Sequence, residues 1–381
     1  MKVSCLQENL AKGLSIVGRA VSARTTLPVL NNILIATDKN RLKLAATNLE
    51  LGITCWIGAK IEEEGATTVP ARTLTDLVNS LPPERIEMTL NVRNQMLELR
   101  CARSSARIKG IDAQEFPLMP SAEEELPGAV TALIRAEDLR EMINQVVFAA
   151  ATDESRPILT GVHVDIQGER ITMAAADGFR LSVRHASLVE PPQNPIAFVV
   201  PARALNEVAR ISADEQNPVA IHIVPGRGQA LFHMTNVELV SQLIEGNFPD
   251  YNRIIPKAYS TRLITDTAQF RKACKTADIF ARESAHTARL SIAPGDEVSP
   301  GRLIVTATSA ETGDNVGELD AIVEGAGMDI AFNVRYLIDV LDRVDTNQVA
   351  LELTTPSSPG VIRAVGNENF LHVIMPMHLS R

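Results

Sequence analysis

Aromatic residues are scarce in this chain. They make up 4% of its 381 residues, with one tryptophan, Trp56, and three tyrosines, so a groove that stacks single-stranded bases on successive rings is not expected. The four cysteines, Cys5, Cys55, Cys101 and Cys274, form no Cys-x-x-Cys pair. That spacing argues against a disulfide framework or a zinc site and predicts reduced, buried thiols. The seven histidines include no His-x-x-x-His and no cysteine at ligand spacing, so no metal is expected. No apolar run reaches the roughly 18 residues of a membrane span, and residues 1–10 lack the basic stretch, apolar block and small residues of a secretory leader. A cytoplasmic protein with no membrane partner is the expectation. Signatures of chemistry are missing too: there is no Walker sequence and no Gly-x-Ser-x-Gly, and Gly226-Arg227-Gly228 lacks the next glycine of a dinucleotide loop. No catalytic residue and no cofactor is predicted, and the protein is expected to work by binding.

What is present is an ordinary globular composition, 45% hydrophobic and 22% charged, which supports buried cores. The net charge of −9 argues against a uniformly basic coat for nucleic acid and leaves room for a local basic face. A single core stops growing near 250 to 300 residues, by rough rule, so two or three domains are expected.

The chain repeats itself. Leu6, Leu10, Leu14, Val17 and Val21 share one helical face, as do Leu139, Met142, Ile143, Val146 and Val147, and then Phe270, Ala273, Cys274 and Ala277. Their markers Leu10, Leu139 and Phe270 stand 129 and 131 positions apart. Val69-Pro70-Ala71-Arg72 and Val200-Pro201-Ala202-Arg203 each end a strand and open a helix, with a weaker copy at Phe332-Asn333-Val334-Arg335. Phe116-Pro117 and Phe248-Pro249 close the first two copies. Three domains are predicted, at residues 1–125, 126–256 and 257–381, with the Glu123 to Gly128 segment as an exposed linker. Strands in the first copy are expected at residues 32–36, 42–46, 52–58, 86–91, 96–101 and 106–111, with turns at Asp38-Lys39-Asn40 and Arg93-Asn94. The fold class is α+β, each copy placing two helices on one face of an antiparallel sheet.

Arg24-Thr25-Thr26-Leu27-Pro28-Val29-Leu30, the Val-Pro-Ala-Arg pair, Asp177-Gly178-Phe179-Arg180-Leu181, Asn247-Phe248-Pro249-Asp250-Tyr251 and Val373 to Leu379 occur in order at domain spacing. In these motifs the chain resembles the bacterial sliding clamps, the beta subunits of replicative DNA polymerases. The resemblance implies three clamp domains per chain and a head-to-tail homodimeric ring around duplex DNA. Its partners are then double-stranded DNA, held without regard to sequence, and the replicative polymerase, clamp loader and other proteins that bear a clamp-binding linear motif. It assigns DNA contact to Arg24 and Arg72, to which the internal repeat adds Arg203. It assigns a peptide pocket to Leu159, Gly178, Phe179, Arg180, Leu181, Pro249, Arg253, Ile254, Val373, Met375, Pro376, Met377 and Leu379, and a subunit interface to Ile108, Ile279 and Phe280. Phe179, where relatives often carry His, together with His378 and the Ser380-Arg381 extension, departs from the family pattern and bears on peptide preference. A DNA-free interaction scaffold built from the same repeats is the competing reading, and an enzyme at a domain junction ranks last because the junction residues are mostly apolar.

Overall fold

The computed structural model describes residues 1–22, 27–124 and 128–378. Arg24, Leu379, Ser380, Arg381 and the first expected domain limit at residues 125–126 lie outside the described residues.

The first copy runs β1 (Lys2–Leu6), α1 (Gln7–Val17), β2 (Asn32–Asp38), β3 (Arg41–Thr47), β4 (Leu51–Gly58), β5 (Lys60–Glu63), β6 (Ala66–Pro70), α2 (Ala71–Ser80), β7 (Arg85–Asn91), β8 (Met96–Cys101) and β9 (Ser104–Lys109). The second runs β10 (Val130–Ile134), α3 (Ala136–Val146), β11 (Gly161–Gln167), β12 (Arg170–Ala176), β13 (Arg180–Ser187), β14 (Ile196–Pro201), α4 (Ala202–Ile211), β15 (Val219–Val224), β16 (Gln229–His233) and β17 (Val237–Gln242). The third runs β18 (Thr261–Asp266), α5 (Thr267–Ala281), β19 (Thr287–Ala293), β20 (Gly301–Ser309), β21 (Gly313–Gly325), β22 (Met328–Asn333), α6 (Val334–Leu341), β23 (Gln348–Leu353), β24 (Gly360–Ala364) and β25 (Phe370–Ile374). Each copy thus carries two α-helices and antiparallel strands in the same order, the first with one extra strand, β5. Among the described residues no helix is long and apolar enough to cross a membrane.

Local chemistry accounts for the helix starts. Asp266 caps α5 by accepting from the Gln269 amide at 2.8 Å, and Asn333 caps α6 by accepting from the Arg335 amide at 3.0 Å. Pro70 ends β6 and is itself the residue that caps α2, one place earlier than the first helical turn, where its missing N–H costs nothing. Lys39 takes φ +54° between Asp38 and Arg41, which face each other across the β2–β3 hairpin.

Two expectations shift. Leu6 and Val21 do not lie on α1, nor Val147 on α3: Leu6 ends β1, Val21 follows a short 3-10 turn and Val147 begins another. In β1, Val3 and Cys5 are buried by alternation, and the strand pairs with β7, some eighty positions away, a partner no local pattern announces. The last expected strand ends at Lys109. Ile111 makes only a bridge to Thr68, because Gly110 lies so close to β6 that a Cβ there would stand 2.4 Å from the Thr68 carbonyl.

The sheets do not stop where the copies do. Contacts divide the chain into two compact units, residues 1–140 with 188–194 and 203–243, and residues 141–187 with 195–202 and 244–381. In the first unit an eight-stranded sheet runs β10-β15-β16-β17-β4-β3-β2-β6, and a five-stranded sheet runs β5-β1-β7-β8-β9. In the second a twelve-stranded sheet runs β14-β11-β12-β13-β25-β24-β23-β18-β21-β20-β19-β22. Two seams therefore join neighbouring copies edge to edge: β4 with β17, pairing Gly52 with Val240, and β13 with β25, pairing Leu181 with Val373. In the third copy Phe270, Phe332 and Phe370 are wholly buried in a core that α5 and α6 share with the sheet; each contributes about 2–3 kcal/mol by burial.

Candidate functional site

The second seam gathers most of the pocket residues named from sequence. Asp177 starts it: its Oδ1 accepts from the amides of Phe179 at 2.8 Å and Arg180 at 3.0 Å, a tight turn that launches β13. Gly178 holds φ +95° there, a conformation that favours glycine, and Arg156 lies against it while donating to the Asp177 carbonyl at 3.0 Å.

Alternation along β13 then separates two faces. Leu181 and Val183 point one way and join Ala174, Val361, Val373 and Tyr251 in a buried cluster, against which Phe248 and Ile255 pack. Around this apolar floor Phe179 is 61% exposed, Ile254 43% and Met375 38%. Pro249 and Arg253 are exposed as well, and Leu159 is buried. Met375 is tied in by its amide, which donates to the Phe179 carbonyl at 2.8 Å, and Met377 by its amide on Ala331 at 2.8 Å. The Met-Pro-Met segment is therefore a fixed part of the surface.

Arg180 points the other way. Its guanidinium stacks 4.3 Å from the centre of the Tyr336 ring and pairs with Asp177 at 3.0 Å and Asp339 at 2.5 Å. On the same face Ser182 meets His372 at 2.7 Å, and Arg184 pairs with Glu141 at 2.8 Å. Arg180 thus braces the strand from behind while Leu181 floors the cleft. Sequence reasoning assigned no role to Tyr251, Arg156, Tyr336 or Asp339. Tyr251 closes a quoted motif and could have been found there; the others contact β13 or the turn before it only through the fold.

His372 is fully buried, and burial, with the Arg180 charge adding to it, pushes its pKa down to about 3. The unfolded chain therefore takes up this proton near the ordinary histidine value, and the folded chain only near 3. Stability contributed by neutral His372 is complete above pH 6.5 and falls as pH drops toward 3, by about 1.4 kcal/mol per pH unit. Urea melts at stepped pH should show this loss in the wild type, and His372→Asn should make it shallower, leaving the share of His185, whose pKa burial pushes down to about 4.

The first seam has the same construction with different side chains. Gly52 stands where Leu181 stands, Val240 where Val373 stands, and the Gln242 amide donates to the Glu50 carbonyl at 2.8 Å as Met375 does to Phe179. A Cβ on Gly52 would lie 2.6 Å from Met119 Cε, so the methionine of the following segment fills the leucine's place. At the rim Glu50 and Gln242 replace Phe179 and Met375, and Glu50 is held in a close ion pair by Arg203. One seam is plugged and polar, the other open and apolar.

The remaining candidates are dispersed. Arg72 projects from α2 with its side chain 95% exposed, 3.7 Å from Asp76. Ile279 is exposed on α5, Phe280 packs against the third copy's core, and Ile108 is buried within its own unit. All four thiols are buried, and burial pushes Cys5 up to about 12 and Cys55 up to about 11, away from nucleophilic use.

Profiles of the DNA polymerase III beta subunit match the whole architecture: its N-terminal domain at residues 1–120, its central domain at 133–250 and its C-terminal domain at 252–378. A beta sliding clamp of Synechococcus elongatus is 32% identical over 384 residues, covering 100% of both chains. The chain belongs to the beta sliding clamp family. The crystal structure of the DNA polymerase sliding clamp from Bacillus subtilis is similar over 100% of both chains, with a TM-score of 0.92 at 29% identity. A sliding clamp from Pseudomonas aeruginosa, solved bound to griselimycin, also covers 100% of both chains, with a TM-score of 0.90 at 30% identity. The clamp is a DNA replication protein, a processivity factor of DNA polymerase III and not an enzyme.

Proposed function

We propose that two copies of this clamp close head to tail into a cytoplasmic ring around duplex DNA, each copy offering the second-seam cleft to a short linear peptide of a polymerase, clamp loader or repair protein. The observation that carries the peptide reading is the contrast between the seams: the same strands meet twice, and only the second meeting presents exposed Phe179, Ile254 and Met375 around a buried Leu181–Val373–Tyr251 floor. An apolar cleft with cationic Arg156 and Arg253 at its edge suits a peptide bearing Leu and Phe, and flexible Met375 and Met377 suit several partners in turn. Met375, Phe179, Gly178, Pro249 and Pro376 then line or border the cleft, and Arg180 positions β13. We keep the three proposed domains, divided near residues 125 and 256, and the proposed contact of Arg24 and Arg72 with DNA.

The ring follows from unpaired edges. Inside the chain, β17 covers the edge of β4 and β25 covers the edge of β13. By the repeat β9 corresponds to β17 and β25, and residues 313–321 of β21 correspond to β4 and β13. Among the described residues β9 ends its sheet, and residues 313–321 pair only with β20. A second copy satisfies both edges, since open edges otherwise invite uncontrolled pairing. Charge agrees: Arg107 and Lys109 lie on β9, and Asp314, Glu318 and Asp320 on β21. Ile279, Phe280 and Ile108 are assigned to this interface.

Titration of a fluorescent Gln-Leu-x-Leu-Phe peptide with the full-length protein tests the reading. Saturable one-site binding per chain is expected; a folded dimer that does not bind would sink the peptide role.

A further inference from the structure

We infer that His163 is a positioning residue of the peptide cleft: its neutral ring holds the Phe248–Tyr251 wall in place and its protonation releases that wall, so the second seam binds peptide well at neutral pH and poorly in acid. The inference rests on the peptide reading of the cleft and adds to it a residue and a pH response. The internal repeat singles out the histidine. In the first copy Leu34 of β2 stands opposite Ala45 of β3, and both pack with Phe116. In the second copy the same three places are held by His163 of β11, Ala174 of β12 and Phe248, with His163 opposite Ala174. Leucine therefore satisfies the packing here, and an imidazole in its place calls for a reason other than volume.

The ring is built into the cleft wall. It stacks on Phe248 with centroids 5.3 Å apart and planes 16° from parallel, and it meets Tyr251 edge-on at 6.1 Å. Phe248 in turn meets Tyr251 edge-on at 6.4 Å, so three rings brace one another in the offset and T-shaped arrangements that aromatic pairs favour. Pro249, at the cleft edge, stands between two of them in the chain. Tyr251 belongs to the floor cluster with Leu181 and Val373, and its carbonyl accepts from the amide of the rim residue Ile254 at 3.0 Å. Floor and rim thus share one support.

Protonation acts on this support because little around it is ready for the charge. Nδ1 of His163 is buried and has no hydrogen-bond partner among the described residues, so a proton there leaves a donor unmet among apolar groups. The strand on one side, β14, carries no charged residue. On the other side β12 contributes Arg170, and His185 of β13 lies beyond it, bonded to Thr172 at 2.8 Å. Arg156, before β11, is turned to the Asp177 carbonyl. The wall segment brings Glu245, Asp250, Tyr251 and Arg253, and Asp250 pairs with Arg253 at 2.9 Å. Asp165, two places along the same face of β11, favours the charged ring, and burial outweighs it, holding His163 below the ordinary histidine value of 6.5. Neutral His163 is the binding form, so affinity is complete above that value and falls as pH drops.

The test is anisotropy titration of a rhodamine-labelled Gln-Leu-Ser-Leu-Phe peptide, amidated at its C-terminus so that it does not titrate, with the full-length protein at steps from about pH 7.5 to about pH 5.0. His185 and His372, whose pKa values burial pushes down to about 4 and about 3, stay neutral over this range. The wild-type Kd should rise by at least roughly fivefold toward the acid end. His163→Leu, which installs the first copy's residue, should bind within about twofold of the wild type at neutral pH and keep that affinity in acid. His163→Gln should likewise show a flat profile, and it carries the test if leucine impairs folding. His378→Gln, at the neighbour of Met377 in the chain, should keep the wild-type profile. Circular dichroism at each pH reports folding. A flat wild-type profile, a wild-type response in either folded His163 variant, or a flat profile in His378→Gln overturns the inference and leaves the cleft standing. A folded wild type that binds no peptide at neutral pH removes the cleft reading itself, and the inference with it.

Discussion

Leu181→Asp and Met375→Asp should each weaken binding of the Gln-Leu-x-Leu-Phe peptide by at least roughly a hundredfold, measured by anisotropy on variants whose folding is confirmed by circular dichroism. Leu181 is 2% exposed and backs the cleft from within the Ala174–Val183–Tyr251–Val361–Val373 cluster. A carboxylate there is stripped of water within an apolar cluster, and Arg180 lies on the opposite face of the strand with Asp177 and Asp339. Met375, 38% exposed at the rim, offers the cleaner experiment: the charge is tolerated in the free protein and meets the apolar peptide only on binding. Gln242→Asp, at the first-seam counterpart of Met375, should leave affinity unchanged. Equal losses in Gln242→Asp and Met375→Asp would mean that the contrast between the seams does not locate the site.

Reversing Arg107 and Lys109 to glutamate should convert the dimer to a species of single-chain mass at low micromolar concentration. The two residues lie on the open edge strand β9, and the proposed partner edge on β21 carries Asp314, Glu318 and Asp320. Like charges brought face to face across an interface cost several kcal/mol by general experience, so a shift in dimer dissociation constant of at least roughly a hundredfold is expected. Raising salt should weaken the wild-type dimer and partly restore the variant, since exposed charges are screened over about 10 Å at 0.1 M. Sedimentation equilibrium reads both. A variant that dimerises like the wild type at all salt concentrations would move the interface away from these strands.

The helices were legible because burial follows helical spacing around Leu10, Leu139 and Phe270, and the repeat was legible because the Val-Pro-Ala-Arg and Phe-Pro segments recur. Strands β2, β3, β4, β7 and β8 lie within a residue or two of their expected places, since hairpin partners are close in sequence. β1 was not legible: Leu6 continues the spacing of Leu10 and Leu14, and what makes Lys2–Leu6 a strand is its distant partner β7. The joining of copies into common sheets was hidden for the same reason, as β4 meets β17 and β13 meets β25 across long stretches of chain. At the site, the resemblance named Arg180 and Leu181 together, and only strand alternation with the Tyr336 stack shows that they do different work. The Gly52–Met119 contact that plugs the first seam depends on which side chain falls into which space, and no motif encodes it.

The central claim is topological: the ring holds DNA by enclosing it. The most direct measurement is retention of the full-length protein on nicked circular DNA after loading by a clamp loader and ATP, followed by gel filtration with and without linearisation by a restriction enzyme. The account predicts that protein stays with the circle and is lost when the circle is cut, and that the Arg107→Glu/Lys109→Glu variant is retained on neither. Equal retention on circular and linear DNA would contradict it, because a clamp that grips has no need to encircle.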